Sequence, residues 1–317
     1  VEMEHALLRV RLFVQQEVLD MTGKLSTAAA AVALATASLG AHAATAVYSN
    51  TPVTGDDFTV AGARQGQAIG SSGWYYNNTG GGGSVGIQPA PSDDGDGAVR
   101  MQGASGASKA DVEYLANAVN VSGNWFAAGS LGSFQQLSAM SYEWYRNPAS
   151  SNDPGQHPSM RVLVDVDGNV MTNDRIALIY ESVYNGGANP VPTNAWTPGV
   201  IGANTNLWTS GAFGFASDRD GSGYAYDDSL AEWQSDSRLT NAVVVGFSSG
   251  VGSGWNGPYD FSVDKLSWTI GGVETTTNFS VSPIPEPSEY AMMLAGLAAV
   301  GWIASRRRAR TPGKSPV

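Results

Sequence analysis

The chain has 317 residues, a formal charge of −11, no cysteine and three histidines. Without cysteine there are no disulfides, no thiolate nucleophiles and no Cys-type zinc sites, and the acid excess argues against nucleic acid, because phosphate contacts need Lys and Arg. Residues 45–282 hold 9 Lys+Arg against 22 Asp+Glu, so the basic residues concentrate at the two ends.

Residues 1–20 precede a stretch, "MTGKLSTAAAAVALATASLGAHAATA", that reads as a secretory signal. Lys24 supplies the positive start, Ala28 to Leu39 the apolar helix and Gly40 its break, and Ala41-His42-Ala43 is an A-x-A cleavage site. Cleavage is expected after Ala43, so residues 1–43 stand apart from the mature chain. The alternative for this stretch is a buried Ala-rich helix.

From residue 44 to 282 the pattern is that of an exported β domain. "TGGGGSVG" at 79–86 reads as a flexible loop; no Lys-Ser/Thr follows it, so it is not a phosphate cradle. "KADVEYLANAV" is expected to form a short helix. "QLSAMSYEWYR", "SMRVLVDV", "DRIALIYESVY", "LTNAVVVGF" and "FSVDKLSWTI" are the clearest strands, rich in β-branched and aromatic residues and bounded by Gly, Asn, Asp and Pro. In the first, Met140, Tyr142 and Trp144 share one face and Ser141, Glu143 and Tyr145 the other. Many short strands with turn signals between them predict an all-β fold, an antiparallel β-sandwich or jelly roll.

Three chemistries can be placed on that domain. Asp165-x-Asp167-Gly168-Asn169 and Asp218-x-Asp220-Gly221, the latter near Asp227-Asp228, set hard oxygens at alternate positions, as calcium loops do; Asp93-Asp94-Gly95-Asp96 is a third acidic run. The first lacks the closing Glu of an EF-hand, with Ile176 in its place, and ordinary solvated turns give the same pattern. Tryptophans stack on sugar rings or fill cores. Trp144 and Trp268 lie in strand patterns and read as core; Trp196, Trp208, Trp233 and Trp255 lie near loops and are candidate carbohydrate contacts. Glu143 and Glu181, in separate strand-like runs, are a candidate acid and nucleophile for glycoside cleavage, which needs carboxyls about 5–9 Å apart. His157, in the Pro-rich "DPGQHPSM", reads as a loop residue: no G-x-S-x-G elbow accompanies it.

The last segment, 283–317, carries "PIPEPSEYAMMLAGLAAVGWIASRRRAR". Tyr290 to Ala304 is an apolar run of about 22 Å as a helix, slightly short for a hydrocarbon core of about 30 Å, and is expected to be a single transmembrane helix. Arg306, Arg307, Arg308 and Arg310 hold its end on the cytoplasmic side, which places the middle domain outside the inner membrane. Pro285 and Pro287 keep Glu286 extended ahead of it.

In Pro285-Glu286-Pro287-Ser288, the apolar run and the Arg cluster, the tail resembles the PEP-CTERM sorting signal of Gram-negative bacteria. That resemblance implies the secretion machinery and an exosortase-type membrane protease as partners. It also implies a transient inner-membrane anchor, and release to the cell surface or a polysaccharide matrix. The middle, in "SLGSFQQLSAMSYEWYRNPAS", "RVLVDVDG", "ALIYESVYNG" and "GPYDFSVDKLSW", is similar to exported proteins that carry this tail. The likeness implies a concanavalin-like or jelly-roll sandwich and brings no catalytic residues. The leading expectation is a non-enzymatic envelope or matrix protein. A carbohydrate-binding module is the alternative and a polysaccharide hydrolase or lyase the third.

Overall fold

The computed structural model describes residues 44–89, 91, 96–221, 225–252, 256–282 and 297. Two compact units divide the chain, Val1–Ala44 and Thr45–Val317, and the description below concerns the second. The signal residues Ala41 and Ala43, the sorting residues Pro285 to Ser288 and Arg306 to Arg308 lie outside the described residues, as do Asp93, Asp94 and Trp255. Among the described residues no helix is long and apolar enough to cross a membrane.

Two eight-stranded sheets form a sandwich. The first contains β1 (Thr45–Tyr48), β2 (Phe58–Val60), β5 (Gly83–Gln88), β6 (Ala98–Gly103), β11 (Leu137–Arg146), β14 (Trp196–Ile201), β17 (Tyr259–Ile270) and β18 (Val273–Ser280). The second contains β3 (Gln65–Ala68), β4 (Trp74–Gly80), β7 (Lys109–Leu115), β10 (Gly132–Ser133), β12 (Ser159–Asp165), β13 (Arg175–Tyr180), β15 (Trp208–Thr209) and β16 (Val243–Val251). A separate hairpin, β8 (Val119–Val121) with β9 (Asn124–Phe126), and a short helix, α1 (Leu230–Ser235), complete the elements used below. Only β1–β18 pairs in parallel; the other described pairings are antiparallel.

Alternation explains which side of each strand faces inward. Met140, Tyr142 and Trp144 of β11, Met160, Val162 and Val164 of β12, and Ala110 and Val112 of β7 are all buried in the one large core. Aromatic rings fill its centre: Phe247 stacks on Trp268 at 4.3 Å and Trp74 meets Phe279 edge-on at 5.0 Å. Each fully buried side chain of this size contributes roughly 1.5–3 kcal/mol, so the core accounts for the sandwich without disulfides.

Two expectations are corrected here. "KADVEYLANAV" is strand β7, not a helix. Its Ala, Glu and Leu favour a helix locally, but burial of Ala110, Val112 and Leu115 between β4 and β16 outweighs propensities of a few tenths of a kcal/mol per residue. The Gly run is a tight crossing and not a flexible loop: Gly81 and Gly82, both with positive φ, carry the chain from β4 in the second sheet to β5 in the first. Gly83 shows why no side chain fits there, since a Cβ would lie 1.9 Å from the Lys109 carbonyl.

Candidate ligand-binding groove

The outer face of the second sheet carries charge at its centre. With Met160, Val162, Ala110 and Val112 turned inward, Arg161, Asp111 and Glu113 must point outward. The register then sets them in two rows. Arg161 lies opposite Ser248, which lies opposite Glu113; one step along, Ser159 lies opposite Gly250 and Gly250 opposite Asp111. Gly250 is what joins the rows. A Cβ there would sit 1.9 Å from Asp111 Oδ1, so its absence lets the Asp111 carboxylate lie across β16 and reach Arg161 Nη1 at 3.0 Å.

Two asparagines finish this floor. Asn77 Nδ2 donates to Glu113 Oε2 at 2.6 Å, and Asn78 Nδ2 donates to Asp111 Oδ2 at 2.7 Å. Neighbouring strand residues normally face opposite sides. Here the β4–β7 register slips between Asn77 and Gly80, and Asn78 adopts a positive φ of 51°, which brings both side chains to the same face.

Above the floor lies a groove of about 670 Å³. One side is formed by Asp153, Gln156 and His157, another by Glu181, Tyr184 and Trp208. Tyr226 packs between the last two rings, 4.5 Å from Tyr184 and 5.1 Å from Trp208, and Tyr184 is 38% exposed. The wall therefore offers flat apolar surface beside carboxyl and amide groups.

The charges are strongly perturbed by burial. Burial and then the nearby Asp111 push the Glu113 carboxyl up to about 7, against the opposing pull of Asn77 and Arg161. Burial also pushes Glu181 up to about 7, opposed by Arg161 and the Trp208 indole. Burial works against the Arg161 charge, but Asp111, Glu113 and Glu181 outweigh it and its pKa is raised. Arg161 thus stays charged as the cation shared by three carboxyl groups.

His157 is a buried element of the wall rather than a plain loop residue. Its ring stacks on Trp144 at 4.4 Å, and Nε2 accepts the Ser182 amide at 3.0 Å and the Ser182 hydroxyl at 2.8 Å. Nδ1 meets the Pro158 carbonyl at 2.8 Å, so this nitrogen carries the proton. Burial lowers its pKa to about 4, so the ring is neutral. Nε2 thereby takes up the first amide of the 3₁₀ turn Ser182–Asn185, and the contact fixes that turn.

The carbohydrate candidates separate. Trp208 lines the groove. Trp196 sits on the other sheet, in β14, beside Tyr145 at 5.7 Å. Trp233 is corrected to core: it is fully buried and its Nε1 donates to the Leu207 carbonyl at 2.9 Å. The capping box of Ser229 and Glu232 starts α1 so that Leu230 and Trp233 share its inner face. Glu143 and Glu181 cannot act as a pair. Glu143 belongs to the first sheet, where Lys265 Nζ lies 3.2 Å away, and Glu181 follows β13 in the second.

The calcium candidates regroup. Asp165 and Asp167 come together with Asp174, and Asn169 Oδ1 accepts the Met171 amide. Asp218 groups with Asp227 and Asp228 and not with Asp220.

No family model and no curated protein matches the chain. Among solved structures it is similar to a family 11 carbohydrate-binding module from Clostridium thermocellum in complex with a β-1,3-1,4-mixed-linked tetrasaccharide. That likeness covers 67% of this chain and 98% of the module, at 10% identity and a TM-score of 0.35. A resemblance so distant says nothing about which face binds or what it binds.

Asp111, Glu113, Arg161 and Asn77 are the site residues that sequence reasoning missed. A signal was present in "KADVEYL", where Lys109, Asp111 and Glu113 alternate with Ala110, Val112 and Tyr114. Nothing comparable announces the bulge at Asn78.

Proposed function

We propose that the chain is an exported protein, sorted through its PEP-CTERM-like tail, whose outer groove holds a segment of neutral extracellular polysaccharide without cleaving it. The observation that carries the binding half is the groove of about 670 Å³ with a polar floor and the Tyr184 and Trp208 rings in one wall. Sugar rings present apolar faces to such rings and hydroxyls to carboxylates and amides. The groove's lining carries four carboxyl groups (Asp111, Glu113, Asp153, Glu181) against two cationic ones (Lys109, Arg161), which disfavours a uronate or sulfated chain. The export half is supported by the A-x-A signal at Ala41 and Ala43 and by Pro285 to Ser288 with the following apolar run and arginines.

Binding is favoured over cleavage because the carboxyls are already engaged. Asp111 is held by Arg161 and Asn78, and Glu113 by Asn77. Asp153 Oδ1 accepts the Gly155 amide at 2.8 Å, and Glu181 remains as a candidate proton donor with no carboxylate placed as its partner. A hydrolase is the second reading, supported by Glu113 and Glu181 both lying near 7, in the range of general acids.

The test is a glycan array probed with the full chain, combined with reducing-sugar release on each glycan bound. The binding reading expects retention of neutral glycans, at least tenfold weaker for Trp208→Ala or Tyr184→Ala, and no sugar release. Release that disappears in Glu181→Gln would establish the hydrolase instead. No retained glycan, or retention unchanged by both aromatic substitutions, would remove the groove from consideration.

A further inference from the structure

The turn that joins β12 to β13 holds a second group of carboxylates, at the end of β12 away from Ser159. Asp165, Asp167 and Asp174 each place one oxygen so that all three lie within 4.8 Å of one another. Acid clusters in turns are common, and the two outer members are accounted for by the turn itself. Asp167 Oδ1 accepts the Asn169 amide at 2.7 Å, and Asp174 accepts the Asp167 amide at 3.1 Å and the Thr172 hydroxyl.

Asp165 is different. It lies just beneath the surface yet is fully shielded from solvent, and neither of its carboxylate oxygens has a hydrogen-bond partner. The nearest cation, Arg175 Nε, stands 3.7 Å from Oδ2, too far for a hydrogen bond, and the guanidinium is turned to donate to the Val170 carbonyl at 2.9 Å. Buried carboxylates are normally hydrogen-bonded, paired or bound to a metal. Here the hydrogen bonds are missing and the one ion pair, to Arg175, is long at 3.7 Å, while two further carboxylates converge on the same point.

We propose that Asp165, Asp167 and Asp174 bind one calcium ion at this turn. Calcium–oxygen distances of about 2.3–2.6 Å allow two ligands on one ion to stand up to about 5 Å apart, which the 4.8 Å spread satisfies. The donors are all hard oxygens, with no His or Cys among them, which selects against zinc and copper. A turn that leaves the other coordination positions to backbone carbonyls and water suits calcium's variable geometry better than magnesium's strict octahedron.

The second acidic group offers a contrast. Asp218 accepts the Ala225 and Tyr226 amides at 2.9 and 2.7 Å, and Asp228 accepts the Arg219 amide and pairs with its guanidinium at 3.1 Å. Those carboxylates organise their own loop and leave no buried oxygen bare, so no ion is assigned there.

The test is calcium titration of the chelator-stripped full chain, solubilised in detergent, by calorimetry, alongside melting in calcium, magnesium or chelator. One site is expected, with a Kd of order 10⁻⁴–10⁻³ M as in other extracellular modules. Calcium at about ten times its Kd should raise Tm by roughly 2–4 °C, and magnesium by less. Asp174→Asn should lose both the heat and the shift; if it misfolds, the exposed Asp167→Asn serves instead. Asp227→Asn, in the second group, should keep both. Absence of heat and shift in the unaltered chain, or their loss in Asp227→Asn and not in Asp174→Asn, would overturn the assignment.

Discussion

Replacing Glu113 with Gln isolates what it costs to keep an ionised carboxyl in the floor of the groove. Glu113 is 9% exposed, Asn77 holds one of its oxygens at 2.6 Å, and Asp111, Arg161 and Ser248 surround it. Burial raises it from 4.5 to about 7. A difference of about 2.5 pH units corresponds to about 3 kcal/mol at 1.36 kcal/mol per unit. The folded-state pKa is the higher one, so folding takes up a proton: the contribution is full below about pH 4.5 and is lost as pH rises through about 7. Gln keeps the shape, accepts from Asn77 and cannot ionise. Urea unfolding across pH 4–8 should therefore give curves for wild type and Glu113→Gln that diverge as pH rises. By pH 8 the variant should have gained about 3 kcal/mol relative to its standing at pH 4. Glu181 adds a slope of the same sign and His157 one of opposite sign, but both are common to the two proteins and drop out of the difference. Parallel curves would show that Glu113 titrates normally and that the floor is wetter than its burial implies.

Gly250→Ala should destabilise the fold by about 3 kcal/mol in denaturant titrations, because its Cβ would strike Asp111 Oδ1 and part the buried ion pair with Arg161. The depressed His157 pKa contributes stability that is present above about pH 6.5 and lost as pH falls through about 4; His157→Gln should flatten the acid limb of the stability profile, and an unchanged limb would refute the buried neutral ring. If the tail is a sorting signal, protein recovered from the native host should begin near Ala44 and end near Pro287 by mass spectrometry. Glu286→Ala should then leave an uncleaved, membrane-bound precursor.

Much of the sandwich was legible because its central strands are rich in β-branched and aromatic residues and are bounded by turn residues. The runs read as strands from their β-branched and aromatic residues are β11, β12, β16 and β17 in the structure. The floor of the groove was not legible, for a specific reason. β7 is built from Ala, Glu and Leu, residues at home in helices, and only its cross-strand partners in β4 and β16 decide the matter. The same dependence on distant partners hid Asp174. It enters the acidic group because the β12–β13 pairing aligns Asp165 with Arg175, folding the turn back on itself. Trp233 was misassigned although Ser229 and Glu232 spell a capping box before it, a local signal that the loop-rich surroundings masked.

The central claim is that ligand lies on the outer face of the second sheet. A crystal structure of the protein with an oligosaccharide retained on the glycan array tests it most directly. The prediction is sugar density over Arg161 with a ring against Trp208 or Tyr184 and hydroxyls on Glu181. Density on the first sheet instead, beside Trp196 or Glu143, or none in the groove at saturating ligand, would contradict it.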